Sequence, residues 1–281
     1  MYHRFPSAQG LEAQCRHLRD CYQPLALTEA ADSLKSGRPL PPNSVAVTID
    51  DGHRDFLEIA HPVFSKYRIP VTVYLVTGFV DGTLWLWADQ VRYAFQHTRL
   101  PHFRQFTLAS KEQRTRAAGE TCEALKLLAN ADRLAELAQM PQLLEVEIPS
   151  KPPPGCEPLT WDEVRALART SVEFGAHTQT HPVLSRVSSA PELDYEIAGS
   201  KRRIEEMLGV PVRHFCYPNG SNRDINPEAV AAVRSAGCLT AVTTESGLNS
   251  PGDDLFRLRR IGVDPAYDPD YFQACAAAFR V

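Results

Sequence analysis

Short apolar, β-branched runs alternate along this chain with segments of helical spacing. Residues 44–49, Ser-Val-Ala-Val-Thr-Ile, form such a run, closed by Asp50-Asp51-Gly52. That predicts a strand buried on both faces, the kind found in parallel sheets. Residues 55–67 carry Phe56, Ile59, Ala60, Val63 and Phe64 at helical spacing, with Pro62 placed to kink or split the helix. Residues 69–76 predict a second strand, ended by Thr77-Gly78. Strand, helix, strand in this order is a βαβ unit.

The arrangement returns downstream. A strand over 171–175 leads to His177 and His181. Ser189 with Glu192 has the form of a helix start, Leu193, Ile197, Ile204 and Leu208 supply the apolar stripe, and Gly209 stops it. Further strands are predicted over 210–217, 239–243 and 259–263, with a helix over 227–235. The texture between the halves differs. Residues 84–132 read as mostly helical, with Trp85, Trp87, Val91, Tyr93 and Phe95 near their start, and the proline-rich stretch 149–155 cannot be regular structure. Thr160 with Glu163 then restarts a helix through a capping box. The expectation is one domain over 1–281, with a helical insertion at about 81–158 that lies over a barrel rim and lacks a core of its own.

Composition narrows the class without naming it. Hydrophobic residues at 43% and charged residues at 23% describe an ordinary globular protein. A net charge of −4 argues against a nucleic-acid partner, and Lys201-Arg202-Arg203 and residues 257–260 read as a solvated helix face and a strand end. No stretch is long and apolar enough for a transmembrane segment. Seven cysteines without a Cys-x-x-Cys pair do not make a disulfide framework, and the first residues lack a signal-peptide core. As written, the chain predicts a cytoplasmic protein, and export would require a longer N-terminus.

The candidate chemistry lies at two strand ends. Asp50 and Asp51 close the first run, and His177 and His181 sit four positions apart after another. One carboxylate and two imidazoles make a three-ligand set for a divalent metal, with the other carboxylate free to act as a base. His/Asp ligation suits zinc first, and cobalt or nickel fit the same ligands.

These residues resemble the motifs of the polysaccharide deacetylase, or NodB-homology, family. Thr48-Ile49-Asp50-Asp51-Gly52 is similar to its Thr-Phe-Asp-Asp-Gly, and His177 to His181 match its His-Ser/Thr-x-x-His. The resemblance implies a distorted, incomplete (β/α) barrel of parallel strands in an α/β fold. It also implies that Asp50 is the catalytic base and that Asp51, His177 and His181 hold the metal. The third motif, Arg-x-Phe-Arg-x-Pro, is met only in part by residues 213–218, because Cys216 stands in place of the Arg that orients the base. Arg260 is the candidate replacement. Asn219 falls where the family places a backbone oxyanion donor, and Tyr217 beside it is read as either a substrate contact or core. The C-terminal Leu-x-His motif, source of the general acid, has no match. Tyr2-His3 resembles the Tyr-His element of the circularly rearranged poly-N-acetylglucosamine deacetylase-like subgroup, which makes His3 the candidate acid.

The implied activity is hydrolysis of N-acetyl groups on N-acetylhexosamine units of a glycan, with release of acetate. A deformylase or other amidase acting on a lipid-linked aminosugar, and a non-catalytic carbohydrate- or metal-binding relative, are the rival readings. Trp85 and Trp87 are candidates for stacking on sugar rings or for packing. With only Met1 and Tyr2 ahead of His3, the barrel is expected to be open at that point and the terminus mobile. A longer native product with a β-rich segment before Met1 follows from that reading.

Overall fold

A computed structural model describes residues 1–277. In chain order, α1 (Ala8–Cys21), β1 (Gln23–Pro24), α2 (Leu27–Ser36) and β2 (Ser44–Val45) precede β3 (Val47–Ile49). A π-helical turn over Phe56–Ala60 runs into α3 (His61–Lys66), then β4 (Val71–Leu75) and α4 (Thr77–Val80). The segment that follows holds α5 (Trp87–His97), the hairpin β5 (His102–Phe103) and β6 (Phe106–Thr107), α6 (Lys111–Lys126) and α7 (Asn130–Leu143). After it come α8 (Trp161–Leu167), β7 (Val172–Ala176), α9 (Ala190–Asp194), a π-helical turn (Tyr195–Gly199), α10 (Ser200–Leu208) and β8 (His214–Cys216). The chain finishes with α11 (Pro227–Ser235), β9 (Thr240–Val242) and α12 (Pro269–Ala277).

Strands β3-β4-β7-β8-β9 form one all-parallel sheet, curled into an incomplete barrel with helices outside. In β3 and β4 nearly every residue is β-branched or aromatic and all are buried, which is why the sequence shows continuous apolar runs there rather than alternation. Pro62 falls in the first turn of α3, where the π-helical turn gives way to α-helix without a break. At the centre of the sheet Tyr74 pairs in register with Gly175. A Cβ on Gly175 would stand 2.4 Å from the Tyr74 ring, so only glycine lets these strands meet.

Three expectations need correction. The terminus is neither open nor mobile. Tyr2 pairs with Ile49, donating its N–H to Thr48 and accepting from Asp50, while Met1 exchanges two hydrogen bonds with Ile261 and Val263. Leu258 in turn pairs with Val242. Residues 1–2 and 258–263 thus bridge β3 and β9 by isolated pairs. For the same reason 259–263 is not a regular strand: its backbone bonds go to Met1 and to Glu245 rather than along one neighbour. Finally, the 81–158 segment does have a core, in which Trp87, Val91, Phe95, Leu108, Cys122 and Leu144 pack together apart from the main core. Trp85 and Trp87 are only 6% and 5% exposed, so both are packing residues rather than sugar platforms.

No helix among the described residues is long and apolar enough to cross a membrane. The basic clusters are neutralised locally, by Lys201–Glu205, Arg203–Asp81 and Arg259–Asp253 pairs.

Candidate active site

The residues singled out in the sequence converge at the carboxyl ends of the parallel strands, where folds of this kind place their chemistry. Asp50 and Asp51 follow β3, His177 follows β7, Cys216 ends β8, and Arg260 lies on the segment joined to β9. Asp51 and Gly52 both take left-handed backbone conformations, φ 77° and 85°, so the chain reverses sharply after Asp50. A Cβ on Gly52 would meet the Leu75 side chain at 2.8 Å, which ties the turn closely to β4.

Asp51, His177 and His181 form one corner. The Asp51 Oδ1 lies 3.5 Å from each of the two imidazole Nε2 atoms, is buried, and has no hydrogen-bond partner. A tetrahedral ion with bonds of about 2.1 Å separates its ligand atoms by about 3.4 Å, so the spacing fits zinc geometry. The outer hydrogen bond supports it: His177 Nδ1 lies 2.7 Å from the Cys216 carbonyl, which fixes that nitrogen as the protonated one and turns Nε2 inward. Burial, first of all, pushes His181 down to about 3, keeping its lone pair free. Asp51, although buried, is held well below the usual carboxylate range by the His177, His181 and His3 imidazoles around it.

Asp50 belongs to a different corner. Arg260 grips it with two N–H···O contacts of 2.7 and 2.8 Å, and both side chains are buried. The same guanidinium donates to the Thr243 carbonyl at 2.7 Å and to Thr48 Oγ1 at 3.2 Å. Burial alone would raise the Asp50 carboxyl, but the Arg260 charge, then His3 and the Arg260 hydrogen bonds, hold it far below its ordinary value. Cys216 Sγ fills the remaining space, 3.2 Å from Arg260 and 3.5 Å from Asp50. The guanidinium thus arrives from residue 260, and a thiol occupies the position of the motif Arg.

His3 Nε2 stands 3.6 Å from Asp50 Oδ2 with its side chain 47% exposed, at the open side of the site. Asn219 lies in the turn after β8 with φ 61°, and its carbonyl accepts the Thr244 hydroxyl at 2.8 Å. No hydrogen bond among the described residues links Asn219 to either aspartate. Tyr217 is not a substrate contact through its side chain, since the ring is buried in the main core and its hydroxyl donates to the Phe256 carbonyl.

Two residues escaped the sequence reading, and a third, Trp87, makes a contact that reading did not foresee. Glu196, buried in the second π-helical turn, accepts the N–H groups of Gln179 and Thr180 at 2.9 Å each and the Thr180 hydroxyl at 2.6 Å. It clamps the loop in which Thr178 and His181 both take positive φ. His53, almost fully buried, faces Asp51 and Asp89. Trp87 donates from Nε1 to the His181 carbonyl at 3.0 Å. Only the position of His53, inside the Asp-Asp-Gly-His run, offered a signal.

Comparison with known proteins bears on the family and the fold. Over 81 residues the chain is 31% identical to the poly-β-1,6-N-acetyl-D-glucosamine N-deacetylase of Escherichia coli K12, covering 28% of this chain and 12% of that protein. The fold matches the Streptococcus pyogenes deacetylase PplD, solved with acetate, at a TM-score of 0.64 and 18% identity, over 96% of this chain and 86% of that one. It matches IcaB of Ammonifex degensii at 0.64 and 20%, over 98% and 93%. At such identities the two structures establish the fold alone. The polysaccharide deacetylase profile, however, matches residues 37–241 and spans both motifs, and on that match the chain belongs to the polysaccharide deacetylase family.

Proposed function

We propose that this protein is a metal-dependent hydrolase that removes N-acetyl groups from N-acetylhexosamine units of a glycan. The observation that carries the reading is the separation of two adjacent carboxylates into two environments. Asp51 faces two imidazoles, while Asp50 is locked to Arg260. Asp51, His177 and His181 would hold a divalent cation, zinc by donor type with cobalt or nickel as alternatives. Such an ion supplies polarisation of the acetyl carbonyl and lowers the pKa of a water molecule.

The chain's own groups handle the protons. Asp50, kept charged and oriented by Arg260, accepts the proton of the attacking water. As the water oxygen bonds to the acetyl carbon, the carbonyl oxygen takes up negative charge, and the backbone N–H of Asn219, in the turn after β8, is the proposed donor to it. His3 gives a proton to the sugar nitrogen as the carbon–nitrogen bond breaks, so that acetate and an amine leave. The Escherichia coli relative's name points to a β-1,6-linked N-acetylglucosamine chain as the first substrate to try.

The test is incubation of metal-loaded protein with β-1,6-linked N-acetylglucosamine oligomers, measuring acetate and free amine together. The reading expects equal amounts of both, abolished by a chelator and restored by zinc. Protein that holds zinc yet releases no acetate from any N-acetylhexosamine oligomer would overturn it.

A further inference from the structure

Two of the three residues assigned to the metal are touched, directly or through one intermediary, by a single helical turn outside the barrel. Trp87 and Asp89 both lie in the first turn of α5. From there the Trp87 indole N–H reaches the His181 carbonyl at 3.0 Å. This bond fixes the backbone of a ligand that already stands in a left-handed conformation, φ 59°, where a few degrees of rotation would swing the imidazole. The Trp87 ring is itself held, with the buried Arg133 guanidinium 5.2 Å from its centroid.

The second thread runs through His53. Its Nε2 lies 3.7 Å from Asp89 Oδ2 and 3.9 Å from Asp51 Oδ2, with the ring 3% exposed and edge-on to Phe79. Asp51 Oδ2 is the oxygen turned away from the two imidazoles; Oδ1 faces them. Asp89 Oδ2 and His53 Nδ1 are buried and have no hydrogen-bond partner, so His53 is the polar group on which Asp89 Oδ2 is aimed. Asp89 is anchored on its other oxygen by Arg92 at 2.9 Å.

We infer that the first turn of α5 is the outer support of the metal corner, with Trp87, Asp89 and His53 as positioning residues. Asp89 and His53 set the rotation of the Asp51 carboxylate, and Trp87 sets the backbone of His181. The helical segment over the barrel thereby has a role in the site rather than over it. Outer partners of this kind change metal affinity by about 10–100-fold when removed. The inference rests on the proposed ligand set, and the experiment separates the two.

Metal-free full-length protein is titrated with zinc against a competing chelator, and its thermal unfolding is recorded without metal. The variants are Trp87→Phe, Asp89→Asn and His53→Phe, with Asp51→Asn and His181→Ala as controls. The expected result is about ten-fold or greater weakening of zinc binding in the first three, with metal-free melting close to that of the parent. Unchanged affinity overturns the inference, as does loss of affinity that only parallels a lowered metal-free melting temperature. Trp87→Phe keeps the ring and drops only the N–H, so it stays informative if another variant folds poorly. Failure of the parent to bind zinc, or full binding by both controls, would instead defeat the ligand assignment itself.

Discussion

Arg260 holds Asp50 through a two-pronged buried contact, 2.7 Å from Nη1 to Oδ1 and 2.8 Å from Nη2 to Oδ2, across 210 residues of chain. The family motif brings its arginine from the position Cys216 occupies here. Here the charge reaches the carboxylate from the irregular segment joined to β9 rather than from β8.

Removing that charge has a predictable signature. In Arg260→Ala the burial of Asp50 loses its main opponent, so its carboxyl rises and the acid limb of the kcat/KM–pH profile moves to higher pH. Breaking a buried pair also costs roughly 3–5 kcal/mol of stability, so rates are compared below the variant's melting range. Arg260→Lys keeps a charge but loses the two-pronged contact, and should fall at least about ten-fold in kcat/KM. Cys216→Arg should also lose activity by crowding a filled site. An Arg260→Ala profile that coincides with the parent's would show that Asp50 does not depend on this contact.

His3 is tested by the leaving group. His3→Ala should cut hydrolysis of an N-acetyl amide by about 100-fold or more, yet barely slow an activated acetyl ester, whose leaving group needs no proton. Equal losses on both substrates would remove the acid role from His3.

Glu196→Ala addresses the loop that carries His181. The change strips three acceptor contacts from Gln179 and Thr180, and should lower stability by about 3 kcal/mol in chemical denaturation while weakening metal binding. A variant with parental stability and metal affinity would show that the loop holds its shape without the clamp.

Acid sensitivity has an identifiable source below the site. His214 bridges the hydroxyls of Thr28 and Thr240 at 2.9 and 2.8 Å, and burial followed by the Arg213 charge pulls it down to about 4. A depressed histidine costs nothing above its unfolded value near 6.5, where both states are neutral. Below that value the unfolded chain takes up the proton first, so stability is lost as pH falls from about 6.5 through 4, by on the order of 3 kcal/mol. His214→Gln should flatten this part of the stability–pH curve relative to the parent. Parallel curves would place the acid sensitivity elsewhere.

The parts of the fold legible in the sequence are those where one local pattern decides the outcome. The β-branched run of β4, and the proline start and glycine stop around α11, needed no distant information. The segment 259–263 reads as a strand because its composition is right, but its partners are single residues on two neighbours, which no local pattern records. The core between α5 and α7 is dispersed over some sixty residues with weak stripes, so it escaped notice. The site divides in the same way. Asp50, Asp51, His177 and His181 share two short motifs. Glu196 looks like one more charged helix residue until the π-helical turn rotates it inward, and Trp87 looks like core because most of it is.

Asp50 and Asp51 have different jobs in the proposed mechanism, and one paired measurement tests that directly: zinc content and acetate release in Asp50→Asn and Asp51→Asn. Asp50→Asn is expected to hold about one zinc per chain, like the parent, while turnover falls by at least about 1,000-fold, since the amide cannot take the proton. Asp51→Asn is expected to lose most of its zinc together with its activity. An Asp50→Asn protein that turns over normally, or one that loses its zinc as Asp51→Asn does, would contradict the division of labour on which the proposed mechanism stands.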